Sequence, residues 1–333
     1  MGLILLRISK QPDDLAFTPA TGARLHWEQL PGPVRHALEA RLGSTVTESV
    51  TQPGGFSPGV AARLRLADGR RVFLKAISSR PNPDSPAMHR REARIAAALP
   101  ASVPAPRLLW SYDDGDWVAI VFEDVDGKMP ATPWQPQELS RVLEAVTQLV
   151  ASLTPSPIAV ETIAERLREP LQGWRTLRAA ARTNTDDLSG VPVWAQRNLE
   201  GLVQLESAWE AASAGATLLH FDLRADNILL TPDRVLVVDW PHASLGAGWM
   251  ELLQILPSVA MQGGPKPWEI FDWHPLGRRA PEREVTAVLA AVCGYFVRQS
   301  RLPAPPGIPT LRAFQRDQGI PAMEWLMRRT GWL

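Results

Sequence analysis

The sequence predicts an α+β protein of two lobes, a β-rich N-terminal lobe with one inserted helix and a mostly helical C-terminal lobe. Three observations lead to this prediction. Runs that alternate β-branched and polar residues, separated by turn signals, fill the first part of the chain. After Gly127 the apolar residues take helical spacing. Two short strand-like runs, Ile228–Leu230 and Val235–Val238, then interrupt the helices. We therefore divide the chain into lobes 1–125 and 126–333.

The N-terminal lobe begins with a lead-in, residues 1–27, that has little pattern and is expected to be loosely structured. A proline opens the first helix, where its missing N–H costs nothing. Asp68 and Gly69 form a hairpin signal between two alternating runs. In chain order the predicted elements are a helix over Pro31–Leu42, strands over Thr45–Thr51, Val60–Leu66 and Arg71–Ile77, a helix over Met88–Leu99, and strands over Arg107–Tyr112 and Trp117–Glu123.

The C-terminal lobe is predicted from apolar residues that recur at helical intervals. The two strand-like runs within it are joined by a turn over Thr231–Arg234, which favours a hairpin. The predicted helices cover Gln137–Leu153, Pro192–Ala214, Ala247–Ala260, Arg283–Gln299 and Leu311–Arg329.

The composition excludes several classes of protein. Lys+Arg and Asp+Glu both number 35, so no net charge attracts nucleic acid or an anionic membrane. The apolar run Met1–Arg7 is short for a signal peptide, and no run reaches the length of a membrane span. The single cysteine, Cys293, lies in an apolar run and is expected to be buried. We predict a cytoplasmic protein without nucleic-acid or membrane partners, either a monomer or a homodimer.

The most informative segment runs from Leu219 to Trp240. Asp222 stands five residues before Asn227, and the predicted hairpin then returns the chain to Asp239. This arrangement can bring two carboxylates and an amide to one rim of a cleft. Their oxygens are hard donors of the kind that Mg²⁺ prefers. Any one of these residues alone would be read as a turn or capping residue, but together they predict a phosphoryl-transfer site.

The segment resembles the catalytic loop of the kinase-like superfamily, H-x-D-x-x-x-x-N, with a metal-binding Asp on the following hairpin. Because Trp240 follows Asp239, where protein kinases have Asp-Phe-Gly, the chain looks like the aminoglycoside phosphotransferase family. The resemblance implies a bilobal protein-kinase-like fold. It also implies Asp222 as catalytic base, Asn227 and Asp239 as Mg²⁺ ligands, and ATP or GTP as the phosphate donor.

Three residues near the base depart from the family pattern or lack a clear role. Phe221 replaces the Gly that often follows the His. Arg224 stands where many protein kinases carry a Lys that touches the γ-phosphate, so it is a candidate catalytic phosphate contact. Asp226 has no role in this interpretation. His220 is expected to be structural and bonded to nearby backbone.

The resemblance also predicts the upstream parts of a nucleotide site, and each can be located in the expected order. Lys75 on the third strand would pair with Glu92 on the inserted helix and contact the α- and β-phosphates. The hinge would present backbone groups of Glu123 and Val125 to the base, with Phe122 inside. The phosphate-covering turn supplies the remaining nucleotide-binding candidates, Gly54, Gly55, Phe56 and Ser57.

The acceptor side is predicted from the segment 263–275, which is rich in aromatic residues and reads as too irregular for a helix. Glu269, Asp272 and His274 within it, and Trp240 beside the metal ligand, are the acceptor candidates. Arginines outnumber acids in the C-terminal third of the chain. This favours a neutral or singly charged alcohol or sugar over a polycationic drug.

The sequence therefore predicts a kinase that phosphorylates a hydroxyl of a small molecule, whether an antibiotic, a sugar or a similar metabolite. Two alternatives stay open. A protein kinase is disfavoured because no Ala-Pro-Glu or activation segment follows Asp239. A catalytically silent nucleotide-binding or scaffold protein is also disfavoured, because such a protein would not need all five of the residues expected at a kinase site. In this chain they are Lys75, Glu92, Asp222, Asn227 and Asp239.

Overall fold

The computed structural model describes residues 17–333. The apolar run Met1–Arg7 and the first sixteen residues of the predicted lead-in lie outside the described residues. From Phe17 to His26 the lead-in forms no helix or strand, but it contacts the rest of the chain, since Leu25 bridges to Val60 and the following Trp27 is 5% exposed. The loose structure of the lead-in stays a prediction. Its contacts are with distant parts of the chain, which leave no pattern in the local sequence.

A five-stranded antiparallel sheet forms the N-terminal lobe, with strand order β1-β2-β3-β5-β4. The sheet and the inserted helix confirm the predicted α+β class. The strands are β1 (Val46–Thr51), β2 (Val60–Leu66), β3 (Arg71–Ser78), β4 (Leu108–Asp113) and β5 (Trp117–Glu123), and the helices are α1 (Gly32–Leu42) and α2 (Ser85–Ala98).

The two faces of this sheet have different neighbours because side chains alternate along each strand. Leu74 and Ala76 of β3 belong to a hydrophobic core shared with Leu38 of α1. Lys75 lies between them in sequence, pairs with Ala61 of β2, and therefore projects from the opposite face. The alternation of β3 thus places one lysine on the face that looks toward α2 and the second lobe.

The C-terminal lobe is mostly helical and contains two short strand pairs. Strand β6 (Thr217–Leu219) pairs with β9 (Ser244–Gly246), and β7 (Ile228–Leu230) pairs with β8 (Val235–Val237). The helices are α3 (Pro136–Ser152), α4 (Ile163–Leu167), α5 (Gly173–Arg182), α6 (Val193–Arg197), α7 (Leu199–Glu206), α8 (Trp209–Ala212), α9 (Trp249–Met261), α10 (Pro267–Phe271), α11 (Pro275–Arg278), α12 (Glu282–Ser300) and α13 (Leu311–Thr330).

Two predictions for this lobe are wrong in detail. The helix predicted over Pro192–Ala214 is three short helices, α6 to α8, and Asn198 separates the first two. The segment 263–275 contains α10 and begins α11. Helix α10 starts at a capping box in which the Glu269 side chain accepts from the Lys266 N–H at 2.9 Å. These helices are short, and neither the breaks between α6, α7 and α8 nor the five residues of α10 leave a clear signal in the sequence.

A hydrophobic core surrounds α9 and α12, and Cys293 of α12 is fully buried, as predicted. Burial raises the pKa of the Cys293 thiol well above its usual range. Ile95 of α2 packs against this core and not against the N-terminal one. The lobe boundary at residue 125 stays a prediction. Within residues 17–333, no helix combines the length and hydropathy that a membrane crossing requires.

Candidate active site

The loop between β6 and β7 carries Asp222 and is held by a residue of α9. The buried carboxylate of Glu251 accepts the backbone N–H groups of His220 and Phe221 at 2.6 and 3.2 Å. His220 is fully buried, and its Nε2 donates to the Val238 carbonyl at 2.9 Å. Its Nδ1 accepts the N–H of Asp222. Burial lowers the pKa of His220, so the ring is neutral and structural, in agreement with the sequence interpretation.

Phe221 has a left-handed backbone conformation, with φ of 62°. A bulky residue in this conformation carries strain that Gly avoids. The two N–H bonds to Glu251 and the packing of the Phe221 ring against the lobe core hold the loop in this shape. The left-handed conformation explains why Gly would suit position 221. The Phe221 ring lines the same cavity as Asp222.

Asp222 and Asn227 contact each other across the loop. The Asn227 Nδ2 donates to the Asp222 carbonyl at 2.8 Å and to its carboxylate at 3.2 Å. This orientation of the amide turns Asn227 Oδ1 away from Asp222. Among the described residues, no side chain or backbone group donates to that oxygen. Asn227 therefore presents a free oxygen donor beside the carboxylate.

Lys75 joins the two lobes at the site. Its Nζ lies 2.7 Å from Glu92 Oε1 and 2.9 Å from Asp239 Oδ1. Burial opposes the charge on Lys75, but Asp239 and Glu92 outweigh it and raise the pKa of Lys75. Burial also acts on Asp239, but Lys75 outweighs it and holds the pKa of Asp239 well below its usual range. The pKa of Glu92 rises to about 7 because burial outweighs the charge of Lys75.

The donor set fits a magnesium ion that shares its coordination with nucleotide phosphates. Asp239 uses Oδ1 for Lys75, which leaves its second carboxylate oxygen for another partner. Asn227 Oδ1 supplies a further oxygen. No group of three or more His, Cys, Asp or Glu side chains suited to a metal occurs in residues 17–333. Mg²⁺ is bound through one or two protein carboxylates together with phosphates and water, so a larger cluster is not required.

Arg224 is clamped between two carboxylates and two aromatic rings. Its Nη1 lies 2.5 Å from Asp222, and its Nε and Nη2 both donate to Asp226 at 3.0 Å. The guanidinium carbon lies 5.4 Å from the ring centre of Phe56 and 5.5 Å from that of Phe314. Burial opposes its charge, but Asp222 and Asp226 outweigh it and raise the pKa of Arg224. Asp226, which had no role in the sequence interpretation, therefore positions Arg224.

Arg24 is a site residue that the sequence analysis missed. It donates to the carbonyl oxygens of Gly54 and Ser57, so the lead-in segment holds the turn between β1 and β2. Burial lowers the pKa of Arg24, against the charges of Asp239 and Asp226. Local sequence gives no signal for Arg24, because its partners are 30 and 33 residues away.

The turn itself offers polar groups toward the cleft. Gly55 has φ of 84°, a conformation that glycine adopts without strain. The Ser57 hydroxyl is buried and has no hydrogen-bond partner among the described residues. Phe56 reaches across to α13, where its ring meets Phe314 edge-on at 5.1 Å. The turn therefore covers the cleft and leaves one hydroxyl unpaired.

The predicted hinge lines a cavity beneath this turn, together with Phe122 and Leu229. The N–H of Glu123 donates to the Arg107 carbonyl at 3.0 Å, so only its carbonyl could serve a nucleotide base. The Val125 carbonyl accepts from Arg63 and from Gly127. The N–H of Val125 has no acceptor among the described residues, so this donor remains available.

A second cavity, of about 450 Å³, lies on the other side of the site and contains Asp222. It and the hinge cavity share a set of lining residues from both lobes, among them Lys75, Glu92 and Asp239. Asn227 and the hinge belong to the first cavity, and Asp222 belongs to the second. The shared carboxylates and lysine thus form the boundary between the hinge cavity and the Asp222 cavity, which are the candidate nucleotide-sided and acceptor-sided cavities.

The predicted acceptor residues do not reach this second cavity. His274 is 2% exposed, accepts the Leu276 N–H, and bonds the Leu143 carbonyl, which makes it a helix cap. Glu269 caps α10, and Asp272 lines a separate surface cavity. Trp240 is 3% exposed, donates to a backbone carbonyl and lines the nucleotide side. The placement of these four as acceptor contacts is corrected, since none of them lines the cavity that contains Asp222.

Glu251 offers a test of how the loop is held, and Glu206 provides a matched control. Each is a fully buried glutamate that accepts two backbone N–H groups, Glu206 from Trp174 and Arg175 at 2.9 Å. Glu→Gln at either position leaves one N–H facing an amide NH₂. We expect each variant to lose about 1–3 kcal/mol in the free energy of unfolding. Only Glu251→Gln should also reduce turnover, by about tenfold to a hundredfold, because it moves Asp222.

Urea unfolding and steady-state kinetics of the two variants check this expectation. Burial raises the pKa of both glutamates from 4.5 to about 7. Between those pH values the folded state binds more protons than the unfolded one, so stability falls as pH rises through the window. Each Gln variant should lose part of this dependence. Equal turnover in the two variants would contradict a role for Glu251 in placing the loop.

Comparison with known proteins agrees with this geometry. A 245-residue stretch is 28% identical to a thiamine kinase of Salmonella paratyphi B and covers 66% of this chain and 79% of that one. A 210-residue stretch is 28% identical to a thiamine kinase of Salmonella gallinarum, covering 60% of this chain and 66% of the relative's length.

Solved structures share the fold at low sequence identity. A thermostable mutant of an aminoglycoside phosphotransferase, in ternary complex with ADP and hygromycin B, matches with a TM-score of 0.57 at 15% identity, covering 90% of this chain and 99% of that one. A choline/ethanolamine kinase family protein from Mesorhizobium loti matches with a TM-score of 0.52 at 17% identity, covering 90% and 93%. These likenesses confirm the predicted kinase-like fold.

The sequence profile described as the phosphotransferase enzyme family matches residues 53–272, which include the turn, the shared residues Lys75, Glu92 and Asp239, and the loop of Asp222. That span is well over half of the chain and confirms the family predicted from the Asp222–Asp239 segment. The confirmed enzyme class is a kinase for a small-molecule acceptor. This chain belongs to the phosphotransferase enzyme family.

Proposed function

We propose that the protein transfers the γ-phosphate of ATP or GTP to a hydroxyl of a small molecule, with Asp222 as base. One observation carries the proposal. Two cavities, one lined by the hinge and one by Asp222, meet at the shared residues Lys75, Glu92 and Asp239. A transfer reaction needs the donor and the acceptor on opposite sides of one charged centre.

On the donor side, the Glu123 carbonyl and the Val125 N–H would bond the nucleotide base next to Phe122. Lys75, held by Glu92 at 2.7 Å, would contact the phosphates. The unpaired Ser57 hydroxyl and the backbone N–H groups of the glycine turn supply further donors to them. Backbone bonds of this kind suit either ATP or GTP.

Asp239 and Asn227 would hold the magnesium ion, which when bound supplies positive charge to the β- and γ-phosphate oxygens. For this role Asp239 must be ionised, and the lysine beside it lowers its pKa accordingly. Asn227 contributes in a second way, because its Nδ2 contact at 3.2 Å orients the carboxylate of Asp222.

The chemical step breaks the bond between the γ-phosphorus and the bridging oxygen and forms a bond to the acceptor's hydroxyl oxygen. Asp222 takes the hydroxyl proton, and the nucleoside diphosphate leaves. Arg224 is proposed as the phosphate contact near the base. Its Nε and Nη2 are bound by Asp226, whereas its Nη1 contacts Asp222. It would neutralise charge that develops between the base and the transferred group.

Mg²⁺-dependent release of ADP from ATP, measured with and without alcohols, tests the function. The panel should include thiamine, because the relatives are thiamine kinases, together with choline, simple sugars and hygromycin B. We expect one class of alcohol to accelerate ADP release at least tenfold over slow hydrolysis. The phosphorylated product should be detectable by mass spectrometry.

Two outcomes would count against the proposal. Nucleotide binding without acceleration by any alcohol would favour the alternative of a silent kinase-like binding protein. Transfer to a protein substrate instead would favour a protein kinase.

Cys293 is the single thiol in the chain, and a reducing cytoplasm is the proposed location.

A further inference from the structure

The acceptor-side cavity has an unusual balance of charge beyond the transfer centre. Among the described residues that line it, the carboxylates are Glu92, Asp222 and Asp239, and all three have roles at the centre. The outer wall is the part that comes from α4, the segment after Asp239, α9, α12 and α13, and Arg24, the turn between β1 and β2 and α2 line the cavity as well. The polar side chains of that outer wall are Arg166, His242, Gln254, Tyr295, Gln315 and Gln318, with no carboxylate among them.

Arg166 of α4 brings a positive charge to this wall. Its Nη1 donates to the His242 carbonyl at 2.9 Å, and its Nη2 donates to His242 Nδ1 at 2.6 Å. In residues 17–333, no carboxylate oxygen lies within 4.0 Å of its guanidinium. The nearby Glu161 is bound by Arg91 at 2.6 Å. Burial lowers the pKa of Arg166 to about 10, so it stays protonated at neutral pH.

Two further groups beside Arg166 are donors. His242 accepts from Arg166 at Nδ1, so its proton is on Nε2, and burial lowers its pKa to about 4 and keeps the ring neutral. The Tyr295 hydroxyl accepts from Gln315 at 3.0 Å, which leaves its own proton for another acceptor. Arg166, His242 and Tyr295 line the same cavity as Asp222. They suit a ligand that carries oxygen acceptors.

Apolar side chains also line the cavity and would hold the body of such a ligand. They include Leu171, Phe221, Val292 and Phe296. A cavity with an apolar body and a few convergent polar groups is the usual form of a small-molecule site. Aromatic rings can also attract an organic cation. Here, however, that cation would lie beside Arg166 with no carboxylate outside the transfer centre to neutralise it.

We propose that the acceptor is a small alcohol that also carries a carboxylate, with its hydroxyl at Asp222 and its carboxylate at Arg166. The inference rests on the proposed phosphotransfer and adds the acceptor's class to it. Arg166 then acts as a specificity-determining residue, supported by the donors of His242 and Tyr295. The cavity selects against cations by the repulsion of an unneutralised guanidinium.

Three para-substituted benzyl alcohols, whose substituents are anionic, neutral and cationic, test this assignment. The probes are 4-(hydroxymethyl)benzoate, 4-(hydroxymethyl)benzamide and 4-(hydroxymethyl)benzyltrimethylammonium. Their binding to the complex of the full protein with Mg²⁺ and a non-hydrolysable ATP analogue is measured by calorimetry, and ADP release with ATP is measured in parallel. We expect the benzoate to bind at least tenfold more tightly than the ammonium compound, with the benzamide between them.

Arg166→Gln should weaken binding of the benzoate at least tenfold and change that of the benzamide less than twofold, because only the anion loses its charged partner. Arg168→Gln is the control. Arg168 lies just beyond α4, pairs with Glu210 at 3.2 Å, and does not line the cavity, so its variant should change neither.

Tighter binding of the ammonium compound, absence of benzoate binding, or equal loss of both probes in Arg166→Gln would overturn the inference. Nucleotide affinity is measured first. If the wild-type protein does not bind nucleotide in the presence of Mg²⁺, the proposed function itself fails. If it binds nucleotide but does not prefer the benzoate, only the acceptor assignment fails.

Discussion

Asp222→Asn is expected to reduce turnover by about a thousandfold while Mg²⁺-dependent nucleotide affinity changes less than about threefold. An amide cannot take the hydroxyl proton of the acceptor. The variant keeps the size of the side chain. Its oxygen can still accept a hydrogen bond from Arg224, whose Nη1 lies 2.5 Å from Asp222 Oδ1 in the wild-type protein. Nucleotide affinity should survive because Asp222 lines only the acceptor-sided cavity, while the hinge and Asn227 line the other.

Asp226→Asn is the matched control for this experiment. It is the same chemical change on a carboxylate that binds the same Arg224, through two bonds of 3.0 Å. Asp226 does not line the acceptor-sided cavity. We expect its turnover to fall by no more than about tenfold. Single-turnover kinetics of both variants separate loss of the base from loss of the arginine's position. An equal loss in the two would mean that Asp222 acts mainly by placing Arg224.

Most of the secondary structure near the site could be predicted because it has strong local periodicity. Strands β2 and β5 have the predicted limits, and the helix that carries Glu92 was predicted within three residues. The resemblance to the kinase-like superfamily predicted that Lys75 and Glu92 would join Asp222 and Asp239 in one site. The structure places all four on the wall of one cavity, with Lys75 between Glu92 and Asp239.

The acceptor side could not be predicted, because its walls are assembled from elements far apart in sequence. Arg166 lies on a five-residue helix, and Tyr295 lies on α12. Neither has a local signal that separates it from an ordinary surface or core residue. The aromatic segment 263–275 looked more like a binding loop, but it lines neither cavity of the site. Its Phe271 and His274 are buried, while Trp273 is exposed. Composition alone cannot tell a ligand-facing tryptophan from a core one.

The same limit applies to the roles of Arg24 and Asp226, which depend on contacts that span the lobes. Arg24 holds the glycine turn from a lead-in that has no periodic pattern. Asp226 holds Arg224 under the rings of Phe56 and Phe314, which come from the two lobes. Such contacts emerge only when the lobes are placed together.

Asp239→Asn is expected to lower nucleotide affinity in the presence of Mg²⁺ by at least about a hundredfold, and to abolish turnover. The carboxylate is shared, with one oxygen 2.9 Å from Lys75 and the other without a protein partner among the described residues. Asn removes the charge and one of the two oxygens. It is a better variant than Ala, because Asp239 has φ of 69° and Asn tolerates this left-handed conformation. A fall in affinity is then a loss of the ligand and not of the backbone.

Glu92→Gln is the control, since it removes a negative charge from the same lysine, at 2.7 Å, without removing the proposed metal ligand. Titration of each variant with nucleotide, with and without Mg²⁺, gives the ratio of the two affinities. Glu92→Gln should weaken nucleotide binding by about tenfold under both conditions and leave the ratio unchanged, because it loosens Lys75 alone. Asp239→Asn should bring the ratio close to one. If Asp239→Asn kept the wild-type ratio, the metal would be held elsewhere. The proposal that Asp239 and Asn227 hold the magnesium ion would then be wrong.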